Sequence, residues 1–345
     1  GGQDAYLDLN HHGDRDIADG LVDLAVNVRV TEPPQWLRDA ITSTEHDWAR
    51  YPDATPGREA LAAMHGVPTD MVLPTAGAAE AFPLVSALEP CHAVVVHPQF
   101  TEPEAALRVA GINVARHILK ASDGFALDPA LVPDNADLVI VGNPTNPTGR
   151  LHPATDLLAL RRPGRILVID EAFMDATDES QSLIGCDMDG LLVLRSLTKT
   201  YGLAGIRAGY VIGDRRLIAR LADHQTPWSV STPAIAAMIA CTCEEARRFQ
   251  TKLCDDIPAA RADLVERLTV LGLSVVTSEA PFVLVDTSSL SGKSIRQPLA
   301  KRGFAVRRGE TFPGLGPTWI RLAVRDPEIH AELARAISDL TAQHN

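Results

Sequence analysis

The sequence has few basic residues, few cysteines and no long apolar run. Lys and Arg total 32 of the 345 residues against 44 Asp and Glu, so the formal net charge is −12. This acidity disfavours nonspecific binding to nucleic acid or to a membrane surface. No uninterrupted apolar stretch is long enough to cross a bilayer, and the chain does not begin with a signal-peptide pattern. We therefore expect neither nucleic acid nor a membrane as a partner.

The five cysteines are too scattered for a disulfide framework, and their odd number is typical of a protein in a reduced cytoplasm. Cys241 and Cys243 are too close together for a usual zinc pair and have no second pair, so no metal site is expected. The chain also lacks the dinucleotide-binding glycine pattern and a phosphate loop ending in Gly-Lys-Ser/Thr. A simple nucleotide-binding domain is therefore disfavoured.

Strand and helix patterns alternate from about residue 70 to residue 214. The strands are predicted at residues 71–73, 93–97, 114–118, 138–141, 166–169, 191–194 and 210–212. Several are continuous apolar runs, which are typical of strands covered on both faces. The pattern predicts an α/β fold with a mainly parallel sheet in a large domain, residues 33–268. Residues 269–345 are predicted to form a smaller α+β domain, which an N-terminal arm, residues 1–32, joins.

The most informative stretch is residues 195–210, RSLTKTYGLAGIRAGY. Lys199 follows an apolar run, and burying its ammonium group costs several kcal/mol unless something compensates. Ser196 and Arg207 lie close by in sequence and could hold a phosphate. A nucleophilic lysine beside a phosphate site suits a phosphorylated aldehyde, which we interpret as pyridoxal 5'-phosphate (PLP). The alternative is a solvated lysine at the end of a strand.

Other polar residues follow the ends of predicted strands, where ligands of parallel α/β sheets collect. Ala78 and Ala79 open a helix whose amides suit an anion. Phe100 could stack on an aromatic ring, although a lone Phe is more often core. Asn146, within NPTNPTG, could donate to a phenolate oxygen, although two Asn-Pro pairs also make ordinary turns. Asp170 ends a buried strand and would suit a protonated pyridine nitrogen.

Two arginine positions are candidates for binding substrate anions. Arg321 lies within the strand-like segment WIRLA and is expected to meet an α-carboxylate. Arg307 and Arg308 precede the segment FPGL, and a solvated surface role for this pair stays open.

Together these residues resemble the fold-type-I PLP-dependent enzymes of the aspartate aminotransferase superfamily. The resemblance runs from Asn27 to Arg321 and depends on NPTNPTG, on DEAF at residues 170–173, and on SLTK at residues 196–199 followed by Arg207. It implies that Lys199 carries PLP and then moves protons, and that Asp170 pairs with the pyridine nitrogen.

The resemblance also implies roles for the residues around these two. Asn146 would bind the ring hydroxyl oxygen, and Phe100 would stack on the ring. The phosphate would be held by Ala78, Ala79, Ser196 and Arg207, with Tyr51 reaching across from a second subunit. The active enzyme would therefore be a homodimer with shared active sites. Phe173 stands where the aminotransferases often have a Tyr that donates to the ring oxygen.

Two groups within the superfamily fit best, the threonine-phosphate decarboxylases of cobalamin biosynthesis and the histidinol-phosphate aminotransferases. Four features resemble the decarboxylases: the element His11-His12-Gly13-Asp14, Phe173, the sequence SLTK at residues 196–199, and Arg307, which lies fourteen residues before Arg321. Both groups act on a phosphorylated amino acid or amine. Arg321 and Asn27 would bind the substrate, and Arg307 with His11 or Arg308 would take its phosphate.

These features predict an L-threonine-O-3-phosphate decarboxylase. The alternative is a class I/II aminotransferase such as histidinol-phosphate aminotransferase. A binding protein of the same fold without turnover is a remote third interpretation, which the presence of Lys199, Asp170 and Arg321 disfavours.

Overall fold

The computed structural model describes residues 20–27, 30 and 32–343. The strands are β1 (Val22–Asp23), β2 (Val72–Ala76), β3 (Ala93–His97), β4 (Val114–Ile118), β5 (Leu138–Gly142), β6 (Ile166–Asp170), β7 (Leu191–Ser196), β8 (Ala208–Gly213), β9 (Ser274–Val275), β10 (Phe282–Asp286), β11 (Phe304–Ala305), β12 (Arg307–Arg308) and β13 (Trp319–Ala323). The helices are α1 (Gln35–Thr42), α2 (Thr55–His65), α3 (Ala81–Ser86), α4 (Glu102–Val109), α5 (Ala154–Leu158), α6 (Thr198–Tyr201), α7 (Arg215–His224), α8 (Thr232–Ala240), α9 (Glu244–Val270), α10 (Arg296–Lys301) and α11 (Pro327–Gln343).

The central sheet has seven strands in the order β2-β8-β7-β6-β5-β3-β4. Neighbouring strands from β7 through β6, β5 and β3 to β4 are parallel. β8 runs antiparallel to both of its neighbours, β7 and β2. The α/β fold with a mainly parallel sheet is therefore confirmed. The carboxyl ends of β3, β5, β6 and β7 meet at one edge, which is where ligands bind in folds of this kind.

Both faces of this sheet are covered by apolar side chains. Within β5, Val139 and Val141 belong to a large hydrophobic cluster on one face, whereas Leu138 and Ile140 belong to a second cluster on the other. Since side chains alternate between the faces of a strand, a strand covered on both sides needs a continuous apolar run. This burial explains why the apolar runs of the sequence located the central strands so well.

The C-terminal residues form a second antiparallel sheet, in the order β12-β13-β10-β9. The short strand β1 pairs in parallel with β11, which connects the N-terminal segment to this part of the chain. Leu264 and Leu268, near the end of α9, belong to the same hydrophobic cluster as Leu322 of β13 and Leu333 of α11. The last turns of α9 therefore pack with the C-terminal part, and the domain boundaries given above stay a prediction.

Among the helices of the described residues, none is long and apolar enough to cross a membrane.

Candidate active site

A cavity of about 160 Å³ lies at the carboxyl ends of the central strands. The loops after β2, β3, β5, β6 and β7 all contribute to it, as does Arg207 just before β8. Its lining includes the following residues that the sequence pointed to: Ala78, Ala79, Phe100, Asn146, Asp170, Phe173, Ser196, Lys199 and Arg207. Their roles stay predictions, but the fold brings all nine to one place.

Lys199 lies in α6, the short helix that begins just after β7 ends. The pKa of its ammonium group is lowered to about 8, chiefly by burial and also by the nearby cations of Arg321 and Arg207, against the opposing effect of Asp170. Its Nζ lies 6.0 Å from the centre of the Phe173 ring. A lysine with a lowered pKa is readily available as the neutral amine, the form that attacks a carbonyl group.

Asp170 is the last residue of β6, and its Oδ1 accepts a hydrogen bond from the backbone N–H of Ala172 at 3.0 Å. Burial raises the pKa of this carboxyl group to about 6, although the Ala172 N–H and the Lys199 cation act in the opposite direction. A buried carboxylate of this kind is stabilised by a cation placed against it. A protonated pyridine nitrogen would be such a cation.

The phosphate end of the cavity depends on two glycines. A side-chain Cβ on Gly77 would lie 2.7 Å from Nη2 of Arg207, so only glycine leaves room for the guanidinium over the turn at Ala78. A Cβ on Gly209 would lie 2.5 Å from the backbone nitrogen of Ala78. The absence of both side chains brings a guanidinium and the first amides of a helical turn together. A phosphate fits this combination of donors.

Asn146 and Asn27 contact the guanidinium of Arg321. Nη1 of Arg321 donates to Oδ1 of Asn146 at 2.5 Å, and Nη2 donates to the backbone carbonyl of Ala25, also at 2.5 Å. With its amide oxygen turned toward the arginine, Asn27 accepts from Nη1 and Nε at 3.2 and 3.3 Å. The segment after β1 therefore helps to hold Arg321 at the cavity.

Arg307 lies directly opposite Arg321 in the pairing of β12 with β13. Directly opposed residues of antiparallel strands project to the same face, so the two buried guanidinium groups share one side of the sheet. Arg307 donates to Oγ1 of Thr311 at 2.6 Å and lies 4.5 Å from the centre of the Phe312 ring. Arg308 follows on the other face of β12.

Four of the predicted site residues that the structure describes do not line this cavity: Asn27, Arg307, Arg321 and Tyr51. Tyr51 is 76 % exposed and stacks on Trp228, which is 60 % exposed, with 4.3 Å between the ring centres. An exposed position is what a residue that serves a second subunit would need, and that role stays a prediction. His11 lies outside the described residues.

Sequence reasoning missed a buried polar network beneath the cavity. Arg195, on β7, is within 3.0 Å of Glu171 and 2.5 Å of Glu179. Asp175 accepts a hydrogen bond from the hydroxyl of Thr200, the residue after Lys199. The only feature of the sequence that indicated this network was Arg195, a charged residue near the end of an apolar strand. A buried charge at such a position requires an acidic partner.

The sequence profile described as aminotransferase class I and II matches residues 19–337. This covers most of the chain. The chain belongs to the class I and II aminotransferase family. It is a PLP-dependent enzyme, and the residues around Lys199 fit this cofactor because they provide a lysine amine, a buried carboxylate and a phosphate cradle.

Two curated relatives indicate where this aminotransferase-family enzyme stands within the family. A protein of Mycobacterium bovis named histidinol-phosphate aminotransferase is 46 % identical over 319 residues, which are 91 % of this chain and 86 % of that protein. The threonine-phosphate decarboxylase of Pseudomonas aeruginosa is 35 % identical over 300 residues, which are 81 % of this chain and 84 % of that protein.

Solved structures share the fold of this enzyme. The histidinol-phosphate aminotransferase of Clostridium acetobutylicum aligns with a TM-score of 0.85 and 24 % identity over 94 % of this chain and all of that one. The L-threonine-O-3-phosphate decarboxylase of Porphyromonas gingivalis aligns with a TM-score of 0.80 and 23 % identity over 93 % of this chain and all of that one. At these identities the likeness supports the fold alone.

Proposed function

We propose that this enzyme transfers the amino group of a phosphorylated amine, with histidinol phosphate as the first candidate substrate. The observation that carries the proposal is the pair of buried guanidinium groups, Arg307 and Arg321, on one face of adjacent strands, with Arg321 close enough to Lys199 to lower its pKa. Buried cations are stabilised by anions, and a guanidinium matches a carboxylate or phosphate with two parallel hydrogen bonds. A substrate with a phosphate, or with a phosphate and a carboxylate, fits this pair.

Transamination is preferred to the decarboxylation that the sequence motifs favoured. The support is the 46 % identity to a protein named histidinol-phosphate aminotransferase, against 35 % to one named threonine-phosphate decarboxylase. The four sequence features that suggested a decarboxylase do not outweigh this difference. Two of those features, Phe173 and Arg307, concern the cavity wall and the proposed anion site. Neither residue determines which bond of the substrate's α-carbon breaks.

In this proposal each residue has a defined task. When bound, PLP supplies an electron-withdrawing ring that stabilises negative charge at the substrate's α-carbon. Asp170 holds the ring nitrogen in its charged form. Lys199 accepts the proton from the α-carbon and returns it, since its lowered pKa allows its amine to be neutral near pH 8. Arg321 orients the substrate's anionic group, and Phe100 and Phe173 exclude water from the ring.

Decarboxylation of threonine phosphate, a step of cobalamin biosynthesis, is the second candidate. The same arginine pair favours it, because Arg321 would hold the carboxylate while Arg307 holds the phosphate. The outcome depends on which bond of the substrate's α-carbon is held perpendicular to the plane of the cofactor ring. A C–H bond in that position leads to transamination, and a bond to the carboxylate leads to decarboxylation.

We also propose that two copies of the chain share their active sites. The support is Tyr51, which is exposed and stacked on an exposed Trp228 instead of lying in the cavity of its own chain. Trp228 has a backbone φ of +58°, a conformation that is unusual for a bulky residue. A strained backbone conformation persists only where surrounding contacts hold it, and a second subunit covering Tyr51 and Trp228 would supply such contacts.

One experiment separates the two reactions. The PLP-loaded protein is incubated with histidinol phosphate and 2-oxoglutarate, and glutamate is measured. A parallel sample contains phosphothreonine alone, and carbon dioxide is measured. The proposal expects glutamate in the first sample, whereas carbon dioxide in the second with no glutamate in the first would favour the decarboxylase. Protein in which Lys199 is replaced by Ala is the control for both.

A further inference from the structure

Gln99 is a buried polar side chain whose amide nitrogen has no hydrogen-bond partner among the described residues. It follows β3, is 2 % exposed, and lines the cavity that contains Lys199. Its Oε1 accepts a hydrogen bond from the backbone N–H of Gly142 at 3.0 Å. Because a backbone N–H can only donate, this contact fixes which end of the amide is the oxygen. Nε2 is therefore left as a donor without an acceptor.

A buried donor without an acceptor needs an explanation, because native proteins satisfy nearly all such groups. Pairing with the Gly142 N–H, which leucine or methionine could not accept, accounts for the amide oxygen but not for the amide nitrogen. Gln99 lines a cavity that belongs to a cofactor, so the missing acceptor is expected to arrive with that cofactor. Binding of the cofactor therefore explains the unpaired amide nitrogen of Gln99, which packing of the protein interior does not.

The position of Gln99 narrows the choice of acceptor. Gly142, which anchors the amide oxygen, is the register partner of Asp170 across β5 and β6. Asn146 follows four residues after Gly142, and its Oδ1 is already bound to Arg321. Gln99 and Asn146 thus share one arrangement, in which the amide oxygen is held within the protein and the NH₂ group remains to donate into the cavity.

PLP has one strong acceptor on the ring besides its phosphate, the ring oxygen, since its ring nitrogen is assigned to Asp170. The three aromatic residues of the cavity wall, Phe82, Phe100 and Phe173, have no group that can donate to it. We propose that Gln99 Nε2 donates a hydrogen bond to the ring oxygen of bound PLP, beside the bond from Asn146. This inference depends on the assignment of PLP to Lys199, and it adds a cofactor-binding residue that the motifs did not indicate.

The proposal is tested by a pH titration of the visible absorbance of PLP bound to the full-length protein. Gln99→Leu keeps a similar volume and removes the donor, together with the acceptor of the Gly142 N–H. Without that donor the ring oxygen holds its shared proton more strongly, so the midpoint of the titration should rise. A rise of about one pH unit is expected, because a hydrogen bond to a charged group is worth about this much. The charged residues that line the cavity, Asp170, Lys199 and Arg207, are unchanged in the variant, as is Arg321 near Lys199.

A second variant tests whether the lost hydrogen bond was made to the ring oxygen. Phe173→Tyr, added to Gln99→Leu, introduces a hydroxyl at the position where the resembling aminotransferases donate to the same oxygen, and it should bring the midpoint back toward that of the wild type. Gln99→Met is measured in parallel so that a folding defect of the leucine variant does not decide the result.

Two results would overturn the inference. The first is a midpoint that does not move in folded Gln99→Leu or Gln99→Met protein. The second is a raised midpoint that the added tyrosine does not reverse, which would place the acceptor elsewhere, on Asp170 for example. The titration needs no substrate. A wild-type protein that binds PLP at Lys199 but does not convert a phosphorylated amine would refute the proposed reaction and leave this test intact.

Discussion

Arg307 and Arg321 lie opposite each other on adjacent antiparallel strands, and both are buried, with 3 % and 4 % of their surfaces exposed. Arg321 is close enough to Lys199 to lower the pKa of its ammonium group. In the proposed function, this pair supplies two cations that are suited to the anionic groups of a substrate, beside a nucleophilic amine.

The first prediction concerns the attachment of the cofactor. Lys199→Ala should lose the visible absorbance of covalently attached PLP and all measurable turnover, because no other lysine among the described residues lines the cavity. The circular dichroism spectrum should stay that of the wild type. Absorbance spectra and the glutamate assay check both points, and turnover that persisted in this variant would refute the assignment of Lys199.

The second prediction concerns the phosphate cradle. Gly77→Ala should weaken PLP binding by about ten- to a hundred-fold, because the new Cβ would meet the guanidinium of Arg207 at 2.7 Å and displace a charged hydrogen bond. Gly111→Ala is the matched control, since Gly111 has a similar φ of +76° and a Cβ there meets nothing within 4 Å. Titration of the PLP-free proteins with PLP measures both affinities. Equal affinities for the two variants would contradict the role of Gly77.

The third prediction concerns the pH dependence of stability. Burial raises the pKa of Asp175 to about 6 from its usual 3.8, so this carboxyl group favours the folded state below about pH 4 and loses that contribution as the pH rises through 6. Asp175→Asn cannot ionise, and its amide oxygen can still accept from Thr200. The variant should therefore be more stable than the wild type at pH 8, by roughly 1–3 kcal/mol, and the gain should shrink toward pH 4.

Urea unfolding at pH 4.5 and pH 8 measures this difference. Asp178→Asn is the control, because Asp178 is exposed and hydrogen bonds from Ser180 hold its pKa below the usual value. A gain at pH 8 that equalled the gain at pH 4.5 would show that the ionisation of Asp175 is not its cause.

The fourth prediction concerns the second subunit. If Tyr51 binds the phosphate of the partner's cofactor, Tyr51→Phe should weaken PLP retention. An inactive Tyr51 variant mixed with inactive Lys199→Ala protein should recover some activity, because one site of the mixed dimer then has both residues intact. Subunit exchange is verified by native mass spectrometry. Exchange without any recovered activity would mean that Tyr51 acts within its own chain or has no role.

The sequence located the central strands well because burial on both faces requires continuous apolar runs. β3, β4 and β13 have the bounds that the sequence predicted. It did not give the antiparallel direction of β8, since an apolar run has no direction. The predicted helix from Ala78 is in the structure a 3₁₀ turn followed by the short α3, which includes Pro83.

The candidate site was predictable where residues follow a strand in sequence, as Asp170, Asn146 and Lys199 do. Contacts between distant segments were not. The pairing of Arg195 with Glu171 and the hydrogen bond from Gly142 to Gln99 join segments 24 and 43 residues apart. The choice between transamination and decarboxylation was also out of reach, because it depends on the orientation of a bound substrate.

Recognition of the substrate's phosphate by Arg307 is the central claim, and kcat/KM for phosphorylated and unphosphorylated substrates measures it most directly. A charged hydrogen bond contributes roughly 1.5–3 kcal/mol, and about 1.4 kcal/mol is a factor of ten. Arg307→Ala should therefore lower kcat/KM for histidinol phosphate by about one to two orders of magnitude and change it little for histidinol. Arg321→Ala, the matched variant, should impair glutamate as the amino donor as well, because its guanidinium takes the α-carboxylate, and lysine at this position should not restore the two-pronged contact. Equal losses for histidinol phosphate and histidinol in Arg307→Ala would contradict the claim.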